Sequence, residues 1–112
     1  MQPVTIKTAA LSDESSVVST VVTAFSGDPA ARWAYPDPYQ YLECFPCFVR
    51  AFGGKAFDYQ SAFVVDNCAA VALWLPPGVH PDEEGLMGLI ERTVSPRLRQ
   101  EVFAVFEQMG RY

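Results

Sequence analysis

The chain has 112 residues, half of them hydrophobic, with eight phenylalanines and a formal net charge of −5. That length gives one domain, residues 1–112, and a domain of this size buries roughly 65% of the surface its unfolded chain exposes. The acidic balance excludes nucleic-acid phosphates and anionic lipid as main partners, because Arg92, Arg97, Arg99 and Arg111 are interleaved with Glu91, Glu101 and Glu107 rather than clustered.

Val4–Thr8 alternates, is rich in β-branched residues and reads as a short strand. Ser12 is the expected N-cap of a helix with Asp13 and Glu14 in its first turn. Val17, Val18, Val21, Val22 and Phe25 recur at helical spacing, and Gly27 with Asp28-Pro29 ends the run. A second helix starts near Asp37-Pro38, with Tyr41, Leu42, Phe45, Phe48, Val49 and Phe52 on its apolar face and Gly53-Gly54 as its stop. Pro46 inside that pattern predicts a kink or a division into two short helices.

Phe57-Asp58-Tyr59, Ala62–Val65 and Val71–Leu75 read as extended, and Asp66–Ala69 is the turn of a hairpin between the last two. Pro76-Pro77-Gly78 ends the final strand. Pro81 with Asp82, Glu83 and Glu84 opens a helix to about Val94. Ser95-Pro96 opens another, with Leu98, Val102, Val105, Phe106 and Met109 on one face and Gly110 as its stop. The order β-α-α-β-β-α-α gives an α+β fold, a small antiparallel sheet of three or four strands packed by about four helices.

Two segments carry a family resemblance: Ala24-Phe25-Ser26-Gly27-Asp28-Pro29 running into Arg32-Trp33, and Ala72-Leu73-Trp74-Leu75-Pro76-Pro77-Gly78. With the order of elements, they resemble the N-terminal half of an acyl-CoA N-acyltransferase, the GCN5-related N-acetyltransferase family. The resemblance implies transfer of acetyl from acetyl-CoA to an amine. It also implies that the segment between the first two helices helps form the acceptor pocket, where Trp33, Tyr35, Asp37 and Tyr39 are the candidate substrate-binding residues. Aromatic rings with one carboxylate suit a small-molecule amine through stacking, cation–π contact and charge pairing.

In the family, acyl-CoA is held by a later strand–loop–helix carrying (Gln/Arg)-x-x-Gly-x-(Gly/Ala), and this sequence contains no such segment. The family's later tyrosine, which can protonate the departing thiolate, has no counterpart either; Tyr112 is not assigned that role. The expectation is therefore an acetyltransferase-like portion that retains acceptor-side elements, holds no cofactor itself and is inactive alone. The alternative is a non-enzymatic module that binds a small molecule or dimerises. A last strand without an intramolecular neighbour invites pairing with another chain, so a homodimer through the exposed sheet edge is expected.

Other chemistry is less well supported by the pattern. Cys44-Phe45-Pro46-Cys47 has the C-x-P-C spacing of thioredoxin-like oxidoreductases, whose first cysteine sits after a strand at a helix N-terminus. Here the preceding residues continue a helical pattern, so these read as core cysteines. Cys44, Cys47, Cys68 and His80 lack the knuckles of a structural zinc site. His80, flanked by Val79 and Pro81, reads as near a helix cap. No glycine-rich phosphate loop is present: Gly53-Gly54 lacks a following Lys-Ser/Thr, and Gly85–Gly88 falls in a helical stretch. Three cysteines, no signal-peptide pattern and no apolar run of roughly 18 residues lead to the expectation of a cytoplasmic protein without a membrane partner.

Overall fold

Carboxylates and prolines decide where the helices begin. The computed structural model describes residues 4–109. In chain order it contains β1 (Ile6–Thr8), a 3-10 turn (Leu11–Asp13), α1 (Glu14–Ala24), α2 (Pro29–Ala34), α3 (Pro38–Gly53) and α4 (Lys55–Asp58). There follow β2 (Ala62–Val65), β3 (Ala70–Leu73), α5 (Glu83–Thr93) and α6 (Pro96–Met109). Asp28 accepts from the Ala31 N–H, Asp37 from those of Tyr39 and Gln40, and Asp82 from that of Gly85. Each satisfies a donor that a first helical turn leaves without an acceptor. Proline at the first positions of α2 and α3 gives up a donor that is unpaired there in any case.

Four local features differ from the sequence reading. The first helix is entered through a 3-10 turn rather than an N-capping Ser12, because the Asp13 carboxylate turns back to accept the Ala10 N–H at 2.9 Å. A short helix, α2, forms directly after Gly27-Asp28-Pro29, so the proline that ends one helix starts the next. The division at Pro46, one of the two outcomes expected there, does not occur: α3 is one helix with Pro46 in its interior. Burial of Tyr41, Cys44, Phe45, Val49 and Gly53 on both sides of Pro46 outweighs the roughly 3 kcal/mol a helical proline costs. Finally, Phe57-Asp58-Tyr59 is not a strand. Gly54 is itself right-handed helical and leads into α4, and the fully buried Ala56 anchors that turn. The Gly110 stop lies outside the described residues.

The three strands form an antiparallel sheet in the order β1-β2-β3. Ile6 pairs with Val65 and Thr8 with Phe63; Ala62 pairs with Leu73 and Val64 with Val71. Alternation puts Ala62, Val64, Val71 and Leu73 on the face beneath the helices. Ile6, Phe63, Val65, Ala72 and Trp74 fall on the opposite face, where Ile6 and Trp74 are both about two-thirds exposed. Among the described residues β3 has no strand on its outer side.

Two groups of buried side chains make the core. One, including Val18, Val22, Tyr41, Phe45, Val49, Ile90, Val94 and Val102, lies among the helices. The other, Ala9, Val17, Ala56, Ala62 and Val64, joins α1 and α4 to the sheet. Leu73 packs against both. Gly53 eases this: a Cβ there would sit 2.9 Å from Leu73 Cδ1 and 3.3 Å from Leu73 Cβ, so a side chain at 53 would push Leu73 aside. No helix among the described residues is long and apolar enough to cross a membrane.

Candidate functional site

Helices α1, α2, α3, α5 and α6 and the end of β3 do not close completely on one another. They leave a cavity of about 410 Å³ lined almost wholly by apolar side chains. Its floor is buried core: Tyr35, Phe45, Val49, Ile90, Val94 and Val102. Its rim is Phe25, Trp33, Phe52, Val105 and Met109, each more than a third exposed. The rim shows why the cavity exists. Helix α3 presents Phe45, Phe48 and Phe52 as a stacked ladder with centroids 5.2 and 5.7 Å apart, and Phe106 of α6 meets it only at Phe48, at 5.7 Å. The apolar stripe of α3 is thus longer than the helices facing it can cover. Among the described residues Asp28 is the one charged residue in the lining.

The four sequence-predicted substrate residues separate into two pairs. Trp33 and Tyr35 line the cavity, one at the rim and one in the floor. Asp37 and Tyr39 do not line it. The Asp37 carboxylate caps α3, with Oδ1 accepting from Tyr39 N at 2.8 Å and from Gln40 N at 3.3 Å. Tyr39 is 84% exposed.

Tyr35 is held rigidly. Thr93 Oγ1 donates to Leu89 O, so the 2.6 Å contact between the two hydroxyls has Tyr35 as donor. Burial raises the Tyr35 phenol above its ordinary value. Arg32 fixes the segment around it, donating to the carbonyls of Ser26, Tyr35 and Pro36 while its guanidinium lies 5.3 Å from the centre of the Tyr41 ring. Tyr41 in turn donates to Val22 O at 2.6 Å and stacks on Phe45. Burial raises its phenol as well.

Several cavity residues were not singled out as site residues from the sequence: Asp28, Phe48, Phe52, Val105, Phe106 and Met109. The only signal was a surplus, since the apolar positions of α3 and α6 outnumber what a narrow helical stripe needs.

The cysteines stand apart from this site. Cys44 is buried and Cys47 exposed on α3, and both are free thiols, as is Cys68. The expectation of two core cysteines therefore holds for Cys44 and fails for Cys47, which occupies the solvent side of the helix. Burial, with lesser contributions from Glu43 and Cys47, pushes the Cys44 thiol above its ordinary value, opposite to an activated nucleophile. Among the described residues no group of three His, Cys, Asp or Glu side chains is arranged to hold a metal.

Three of the helix starts among the described residues do not suit an anion. A diphosphate needs a nest of unpaired backbone N–H groups at a helix start. Here α2, α3 and α5 begin on the carboxylates of Asp28, Asp37 and Asp82, which occupy those donors and repel an anion. What fold and site define is an α+β protein with an open apolar cavity between its helices and the free side of its sheet. No family model, curated protein or solved structure matches the chain.

Proposed function

We propose that this chain is the acceptor-binding portion of an N-acetyltransferase-like protein. On this reading it holds an amine, and acyl-CoA is held by a unit outside the sequence. The observation that carries the reading is the position of the cavity. It lies between the segment joining the first helices, with Trp33 and Tyr35, and the end of β3, whose outer side has no strand. The arrangement of a first strand, helices and an antiparallel hairpin supports the same resemblance. A strand added along β3 would bring its loop to the mouth beside Leu73 and Leu75, both of which line the cavity. The chain by itself covers that edge with a second copy, forming a two-fold dimer.

Calorimetry with acetyl-CoA and with small amines tests the division of labour. The expected result is saturable binding of an amine and none of acetyl-CoA. Acetyl-CoA binding with a Kd below roughly 10 µM, about −7 kcal/mol, would show that the cofactor site is in this chain and overturn the proposal. An alternative reading, a non-enzymatic binding module, is favoured by the cavity's lining, whose apolar walls all come from this chain.

A further inference from the structure

The cavity has room for on the order of a dozen waters but offers them almost no polar partner. Water is poorly held in such a space, so an apolar body is its natural occupant. Three flat surfaces converge on it: the Phe48–Phe52 ladder from α3, Phe106 from α6 and Trp33 from α2. Rings stack readily on such walls. Charge enters at one place. Asp28 Oδ2 accepts from Ala31 N at 2.9 Å, and Oδ1 has no other partner among the described residues. Arg32 does not line the cavity and is occupied by three carbonyls and the Tyr41 ring.

Resting on the acceptor reading above, we infer that the cavity selects an amphiphilic amine. Its ring-bearing apolar body lies among Trp33, Phe48 and Phe106, and its ammonium pairs with Asp28, the one charged position among the described lining residues. Polyhydroxylated or polycationic amines are disfavoured, because their polar groups would be desolvated against walls that cannot hydrogen-bond them. The single carboxylate compensates one positive charge and no more.

Calorimetric titration of the chain with 4-phenylbutylamine, its neutral counterpart 4-phenylbutanol, and glucosamine tests this. The amine is expected to bind, the alcohol to bind roughly tenfold more weakly for want of the charged hydrogen bond, and glucosamine to give no saturable heat. Asp28→Asn keeps an oxygen for the Ala31 N–H and is expected to erase the amine's advantage while leaving the alcohol unchanged. Val105→Trp, at the exposed rim, is expected to weaken both by filling the mouth. Equal affinity for amine and alcohol in the wild-type chain would overturn the role of Asp28 without needing either variant to fold. Glucosamine binding more tightly than phenylbutylamine would overturn the apolar selection and leave the acceptor reading standing. Binding of the alcohol with exclusion of every amine would overturn the acceptor reading itself.

Discussion

Tyr35 sits where packing and site meet, since its ring is cavity floor and its hydroxyl joins α2 to the end of α5 through Thr93. Tyr35→Phe keeps the ring and removes the bond. The expected loss is about 1 kcal/mol in denaturant unfolding, the net worth of one such bond, with little change in cavity shape. Cys44 gives a pH test. Its folded thiol titrates above the unfolded value, so the unfolded chain loses that proton first. Stability is expected to be flat up to about pH 8.5, where an unfolded cysteine ionises, and to fall as pH rises further. Tyr35 and Tyr41, also raised, extend the fall above about pH 10. Equilibrium unfolding from pH 7 to 10 checks the sign, and Cys44→Ala is expected to flatten the first part of the curve. A maleimide probe is expected to label exposed Cys47 quickly in the native protein and Cys44 only on unfolding.

At the scale of elements, Asp37 acts as the cap of α3. Asp37→Ala is expected to lower stability by about 1 kcal/mol, read as a shift of the denaturation midpoint at constant m. The start of α3 was legible because Asp-Pro announces a helix start by local chemistry alone. The hairpin of β2 and β3 was legible for a similar reason: its alternating residues and the Asp66–Ala69 turn are adjacent in sequence. What was not legible depends on neighbours distant along the chain. Pro46 left a kink or a division open, and its flanking residues are buried in the core, so the helix is not divided. Phe57 to Tyr59 looked extended, but α4 is fixed by burial of Ala56 beneath the sheet. The site was half legible for the same reason. Trp33 and Tyr35 could be named from one aromatic segment, while Phe48, Phe52 and Phe106 become cavity walls only once α6 falls short of covering α3.

For the molecule as a whole, surface area is the informative quantity. A folded monomer of 12.4 kDa exposes roughly 6,100 Å², whereas this chain exposes 7622 Å². Its radius of gyration of 14.8 Å also exceeds the roughly 13 Å typical of this length. The surplus includes apolar side chains of the cavity rim and of the outer sheet face, Ile6 and Trp74 among them. It exceeds what each partner contributes to an interface of about 2,000 Å² in total. Light scattering at low micromolar concentration is expected to give a dimer. Ala72→Lys, which puts a charge beside Trp74 on the β3 strand, is expected to shift it toward monomer while leaving the circular dichroism unchanged.

The most direct test of the role proposed for the cavity is to map where an amine binds. In a ¹⁵N–¹H correlation spectrum titrated with 4-phenylbutylamine, saturable shifts are expected at residues 28–35, 48–53, 73–75 and 102–109, converging on one dissociation constant. Saturable shifts confined to the outer sheet face, or no saturable shift anywhere at millimolar amine, would contradict the account.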